Sequence, residues 1–162
     1  MVRKGYVLGL GIIVAVVLYA LLGQLEPTLI ILINTFSILV LFAAVAYGEL
    51  EGAIMGTCAG LIQDAMSYGV FGLAGLSQTL AGFLAGWLSH KLDINNFYRR
   101  SVFLFFLSLL QLVIWVFFYS IVFKKSLLYS HPAFYLQPVF TAILTSSLIS
   151  LFKKMSPAAR IK

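Results

Sequence analysis

The chain has 162 residues, of which 62% are hydrophobic and 10% are charged, and its mean hydropathy is +1.04. Because a soluble domain carries about 25% charged residues, this composition cannot cover a water-exposed surface and predicts a membrane protein. The net charge of +6 comes from basic residues clustered between apolar runs. This pattern is typical of topology signals and anionic lipid contact, not of nucleic-acid binding.

Six apolar runs follow one another along the chain. They cover residues 5–23, 28–47, 51–66, 73–89, 101–123 and 133–152. Because only helices and closed barrels satisfy the backbone in lipid, and because no run alternates polar and apolar residues as barrel strands do, the runs predict helices. We expect an all-α polytopic membrane protein of six transmembrane helices, with residues 1–162 forming a single transmembrane domain.

The distribution of Lys and Arg predicts the orientation of the chain. With six spans, nine basic residues lie on one side of the membrane, and only Lys124 and Lys125 lie on the other. Because basic loops stay in the cytoplasm, we expect both termini there. Runs three and four are short, and the alternative that they form a re-entrant hairpin leaves this sidedness unchanged.

The third run contains a glycine at every fourth residue, and a carboxylate takes the next step of this ladder. In lipid, small residues at this spacing let another helix backbone come close. The fourth run has small residues at similar spacing, and a glycine bounds the turn between the two runs. We expect close helix contact here, and the candidate partner-binding or helix-packing residues are Gly52, Gly56, Gly60, Asp64, Gly72, Gly82 and Gly86.

Asp64 is an ionisable residue at the end of an apolar run, where a charge is expensive and is expected to face protein or water. Three roles stay open: a proton or cation site, a ligand contact, or a structural lock that accepts hydrogen bonds from backbone N–H groups of the following turn. A proton relay needs further ionisable groups in the membrane, and the sequence provides none near Asp64. The lock or an interface role is therefore favoured.

Catalytic chemistry finds little support in the sequence. The two histidines, His90 and His131, are expected at opposite faces of the membrane, and no cluster of His, Cys, Asp or Glu has metal-ligand spacing. A Gly-x-Ser-x-Gly nucleophile motif and a phosphate-cradling loop are missing from the sequence as well. We expect a protein that is not an enzyme, with no catalytic residue, metal or cofactor.

One segment resembles a known family. The stretch Gly56-Thr-Cys-Ala-Gly60-Leu-Ile-Gln-Asp64, then Phe-Gly-Leu at 71–73 and Leu-Ala-Gly-Phe-Leu-Ala-Gly at 80–86, resembles the rod shape-determining membrane protein MreD. Phe83 stands where that family often has Tyr. The resemblance implies a fold similar to the six-helix substrate-binding subunits of energy-coupling-factor vitamin transporters.

The resemblance also implies a function and partners. It implies a non-enzymatic scaffold of the bacterial cell-elongation machinery, in the cytoplasmic (inner) membrane, that supports peptidoglycan synthesis and rod shape. The partners that it implies are the bitopic protein MreC, the cytoskeletal protein MreB, a RodA-type glycosyltransferase and a class B penicillin-binding protein, with membrane lipid around them. On this hypothesis, runs three and four offer a close-packing surface to a partner's transmembrane helix.

The alternative function is the solute-binding subunit of an energy-coupling-factor type vitamin transporter. This hypothesis places an outward-facing pocket at Asn34, Gln63, Asp64 and Gln78. Because the outer loops contain no obvious cluster of polar and aromatic ligand contacts, the scaffold is favoured over the transporter subunit. An intramembrane enzyme is the third and least favoured hypothesis.

Overall fold

The computed structural model describes residues 2–67, 71–123 and 133–155. The backbone of these residues is helical apart from short connections. The helices are α1 (Val2–Leu25), α2 (Pro27–Leu32), α3 (Thr35–Tyr47), α4 (Glu49–Met66), α5 (Leu73–Ser89), α6 (Phe97–Phe123) and α7 (Ala133–Met155). The all-α fold class expected from the sequence is confirmed.

Within the described ranges, four stretches are long and apolar enough to cross a membrane. They are Gly5–Leu25, Pro27–Tyr47, Phe97–Phe123 and Phe134–Lys154, and they correspond to the first, second, fifth and sixth apolar runs. A helix of about 20 apolar residues spans the hydrocarbon core of a bilayer. The chain is therefore an integral membrane protein, and the shorter helices α4 and α5 lie together beside these spans.

The second apolar run, expected as one helix over 28–47, is divided into α2 and α3. Ile33 and Asn34 have extended backbone angles between the two helices. The Asn34 side chain then caps α3, because its Oδ1 accepts a hydrogen bond from the backbone N–H of Ser37 at 3.0 Å. Such a cap satisfies one of the N–H groups that every helix start leaves unpaired. Pro27 begins α2, where its missing N–H breaks no helical hydrogen bond.

Helix α3 is the centre of the fold. On one side, Leu41 and Phe42 belong to an apolar cluster with residues of α5, α6 and α7. On the other side, Phe36 and Val40 belong to a second cluster with residues of α1 and α4. By contrast, only 6% of the most apolar window of α1 is buried, so this helix lies at the edge of the bundle.

Helices α4 and α5 pack backbone against backbone along the glycine ladder. A Cβ atom added at Gly52 would lie 2.5 Å from the carbonyl oxygen of Gly82, and one added at Gly60 would lie 2.5 Å from the Cα of Gly75. A Cβ at Gly56 would collide with the backbone of α5 in the same way. The ladder therefore faces α5 of the same chain, and the helix of another protein has no room on this face.

The bundle has a basic end. Lys153 Nζ, near the end of α7, lies 3.3 Å from Asn95 Oδ1 in the α5–α6 connection. His90, after α5, lies 3.7 Å from Glu49 at the start of α4. The described cations at this end are Lys91, Arg99, Arg100, Lys153 and Lys154. Other residues of the charge and histidine arguments, Lys124, Lys125, His131, Arg160 and Lys162, lie outside the described residues.

Candidate ligand-binding cavity

A cavity of about 420 Å³ lies between the helices, toward the end opposite the basic end. It is built from the later parts of α1, α4 and α6 and from the beginnings of α3, α5 and α7, together with α2. Small-molecule sites commonly have volumes of about 300–1,000 Å³. Its lining consists of Tyr19, Ile30, Ile31, Asn34, Ser37, Gln63, Asp64, Ser67, Leu73, Ala74, Ser77, Gln78, Ser108, Gln111, Leu112, Trp115, Tyr119, Phe134 and Gln137.

One side of the cavity is an aromatic wall, formed by Trp115, Tyr119 and Phe134. Trp115 and Tyr119 are stacked, with ring centroids 5.3 Å apart and an interplanar angle of 26°. The Phe134 ring of α7 lies 5.7 Å from that of Trp115. Flat aromatic faces of this kind suit a planar aromatic ligand, because offset stacking adds to the burial of apolar area.

A second part of the cavity is a cluster of carboxamides, which we call the amide floor (Gln63, Gln78 and Gln111). Gln78 Nε2 donates a hydrogen bond to Gln63 Oε1, and Gln111 Nε2 donates one to Ser37 Oγ at 2.6 Å. The Oε1 atoms of Gln78 and Gln111 are buried and have no partner within the described parts of the chain. An unsatisfied buried polar atom costs about 1–3 kcal/mol.

Asp64 lines the cavity, and its carboxylate accepts hydrogen bonds from the backbone. Its carboxylate accepts from the N–H groups of Gly72 at 2.9 Å, Ala74 at 3.0 Å and Gly75 at 3.1 Å. These groups are at the start of α5, where the helix has no acceptors of its own and where its dipole favours a negative charge. Gly72 has φ +102°, a conformation that glycine adopts without strain. This arrangement is the one that the structural-lock interpretation of Asp64 describes.

The described lining of the cavity carries negative charge and no positive charge. It includes the Asp64 carboxylate and no Lys, Arg or His among the residues that the structure describes. Transfer of an anion into such a site is unfavourable, because its lost hydration is not replaced by an opposite charge. In the described ranges no group of three His, Cys, Asp or Glu side chains could hold a metal ion. The described lining therefore disfavours an anionic ligand.

A comparison with known families bears on the two functional hypotheses. The family model described as ECF-type riboflavin transporter, S component, matches residues 2–154. The chain belongs to this family. Neither a search of curated proteins nor a search of solved structures finds a match. The all-helical fold of this S component and its apolar spans fit the family.

The interpretation as an MreD-like scaffold is wrong. The family match extends over nearly the whole chain, whereas the resemblance to MreD depended on residues 56–86. The cell-elongation function, which followed from this resemblance, is therefore wrong as well. The same holds for the expected partners MreC, MreB, RodA and a penicillin-binding protein. A glycine ladder that ends in an acid reports a tightly packed helix pair, here α4 and α5, and such a pair is not specific to one family.

The structure brings together all four residues of the transporter hypothesis: Asn34, Gln63, Asp64 and Gln78 line the cavity. The glycine candidates lie elsewhere. Those of α4 and α5 follow the contact between these two helices, and the glycine before α5 donates its N–H to Asp64. None of the glycine candidates lines the cavity.

The aromatic wall was missed because ligand contacts were sought in the outer loops. In this chain the aromatic residues that line the cavity lie on helices instead. The signal was the spacing of Ser108, Gln111, Leu112, Trp115 and Tyr119 along α6. These residues follow one another at helical intervals, so they occupy a single face of the helix. A mixed polar and aromatic face inside an apolar run is therefore a usable sign of residues that line a cavity.

Proposed function

We propose that the chain is the substrate-binding subunit of an energy-coupling-factor transporter and that its substrate is riboflavin. The observation that carries this proposal is the combination of an aromatic wall and an amide floor in one cavity of suitable volume. Riboflavin is uncharged and consists of a planar ring system with a polyhydroxyl side chain. A lining with aromatic faces, carboxamides and no cation in its described part suits these groups.

The same proposal gives the chain an orientation. Both termini and the basic end lie in the cytoplasm, since Lys and Arg accumulate on that side of membrane proteins. The cavity then lies toward the outer face of the membrane. This placement supports a role in uptake, because a substrate from outside reaches the cavity without crossing the bundle.

The partners that the family implies differ from those of the scaffold hypothesis. We propose that the chain works with the A and T components of an ECF transporter. On this view the S component binds its substrate without changing it chemically. The A component's ATP hydrolysis would supply the energy of transport.

Ligand binding by the purified chain in mild detergent tests this function. We expect riboflavin to bind saturably, to lose fluorescence on stacking against the aromatic wall, and to raise the melting temperature. A ligand at 100 times its Kd stabilises a protein by about 2.7 kcal/mol. Thiamine, a cationic vitamin, should cause no shift. Absence of saturable riboflavin binding would contradict the proposal.

The two tryptophans of the chain provide a matched pair of variants. Trp115 is part of the aromatic wall, whereas Trp87 is 43% exposed and lies under Lys91 near the basic end. We expect Trp115→Leu to raise the Kd for riboflavin about tenfold, since an aromatic pair contributes about 0.5–1.5 kcal/mol beyond buried area. Trp87→Leu should leave the Kd unchanged. Equal effects of the two substitutions would remove Trp115 from the site.

A further inference from the structure

Hydrogen bonds within the described chain satisfy only some of the polar atoms of the amide floor. Gln78 is fully buried and Gln111 is 8% exposed, and each uses its amide nitrogen on a neighbour. Their carboxamide oxygens have no partner among the described residues, although both side chains line the cavity. Buried polar groups in folded proteins are almost always paired. The missing partners are therefore expected to come from a ligand.

The chemistry of these partners follows from the carboxamide group. The two unpaired oxygens belong to different helices, α5 and α6, so the ligand must offer hydrogen-bonding groups at more than one point. A hydroxyl both donates and accepts, and it can therefore pair with either end of a carboxamide. Two further hydroxyls, those of Ser77 and Ser108, line the same cavity. A chain of hydroxyls meets these demands better than a single ring N–H.

The order of residues along α6 separates the two kinds of surface. Trp115 and Tyr119 follow Gln111 by one and two helical turns, about 6 Å and 12 Å along the axis at 1.5 Å per residue. The aromatic wall thus continues from the amide floor toward the C-terminal end of α6. An elongated ligand can place a flat ring at one surface and a polar chain at the other.

We propose that Gln78 and Gln111 bind the polyhydroxyl side chain of the flavin, while its ring stacks on the aromatic wall; this assignment rests on the proposed function. The two glutamines are then residues that determine specificity for the side chain. The flavin ring contributes to affinity through a different contact, its stacking on the aromatic wall. Substitution of the glutamines should therefore weaken binding of the side chain without weakening binding of the ring.

The test compares riboflavin with lumiflavin, which has the same ring and a methyl group in place of the polyhydroxyl chain. Kd values for both are measured by fluorescence on the full chain and on Gln78→Met and Gln111→Met. We expect each substitution to raise the Kd for riboflavin about tenfold and to change that for lumiflavin less than twofold. The matched control is Gln24→Met, because Gln24 is exposed and lies outside the cavity lining.

The lumiflavin arm also reports whether the variants fold, since its binding needs an intact aromatic wall. Gln78→Leu and Gln111→Leu repeat the test if a methionine variant fails to fold. In variants whose melting temperature shows that they fold, an equal loss of affinity for both flavins, or no loss for either, overturns the assignment. A different result, in which the unsubstituted chain binds neither flavin, contradicts the proposed function itself and removes the assignment with it.

Discussion

Asp64 shows how one buried carboxylate organises a helix hairpin in a membrane protein. Unpaired backbone N–H groups are costly in lipid, and the first turn of every helix has several of them. Asp64 accepts three of these at the start of α5, and this fixes where the helix begins. Gln78 lies about one turn further along α5. The carboxylate therefore supports the amide floor from a position at the edge of the cavity.

Substitution of Asp64 should reduce stability in a graded way. We expect Asp64→Ala to lower the free energy of unfolding by about 3 kcal/mol, because it leaves buried N–H donors unpaired. Asp64→Asn retains one acceptor oxygen and should cost about half as much. Unfolding by SDS titration in mild detergent measures both values. Asp93→Ala is the control, since Asp93 is exposed and its partners Asn95 and Arg99 are exposed as well; an equally large effect there would refute the lock.

At the scale of helices, most of the fold could be predicted from the sequence. Lipid forces every spanning segment to satisfy its own backbone, so apolar runs between charged residues locate helices within a few positions. The break before α3 was missed for a physical reason. Asn34 was counted as a polar residue inside a span, whereas a buried Asn after Pro27 and ahead of Ser37 is a helix cap.

The site was only partly predictable at this scale. Polar residues in apolar runs stand out by themselves, so Asn34, Gln63 and Gln78 could be named before their contacts were known. The aromatic wall could not, since Trp115 meets Phe134 only after α6 and α7 have packed together. The family was misjudged because a glycine ladder records local packing, which unrelated membrane proteins share.

The packing of α4 on α5 makes a prediction about Gly56. A Cβ there would meet the carbonyl group of Gln78, a backbone group that cannot move unless the helices separate. We expect Gly56→Ala to destabilise the fold by about 2 kcal/mol, although alanine favours helices by about 1 kcal/mol over glycine. Because Gln78 is displaced, riboflavin binding should weaken as well.

Gly9 provides the matched control for this substitution. It lies in α1 with nothing within 4 Å of an added Cβ, so Gly9→Ala should leave stability unchanged or raise it slightly. SDS titration compares the two variants under one condition. Equal stability of the Gly56 and Gly9 variants would show that the α4–α5 contact is looser than the structure indicates.

At the scale of the whole molecule, charge and cavity lie at opposite ends of the bundle. The described cations gather where α5 ends, α6 begins and α7 ends, while the cavity is built from the other ends of these helices. In the proposed orientation, positive charge holds the basic end in the cytoplasm. The proposed substrate cavity, at the opposite end, would then be available to solutes outside the cell. The proposed orientation and the proposed direction of transport thus depend on one asymmetry of the chain.

Labelling of single cysteines tests this link. Cys58 is the only cysteine of the sequence, so Cys58→Ser provides a background without thiols. Phe71 is 68% exposed and precedes α5 at the cavity end, and Asn96 is exposed at the basic end. In intact cells a membrane-impermeant maleimide should modify Phe71→Cys, whereas Asn96→Cys should react only after permeabilisation, since the proposed orientation places the basic end in the cytoplasm.

The other outcomes of this labelling are equally informative. Reaction in the opposite order would place the cavity in the cytoplasm, where it could not capture a substrate for uptake. If Phe71→Cys reacts from neither side, α4 and α5 form a re-entrant hairpin whose tip lies within the membrane. Labelling from outside requires instead that α4, with its 18 residues, cross most of the bilayer. At 1.5 Å per residue such a helix is about 27 Å long, which matches a hydrocarbon core of about 30 Å closely enough for the turn to reach solvent.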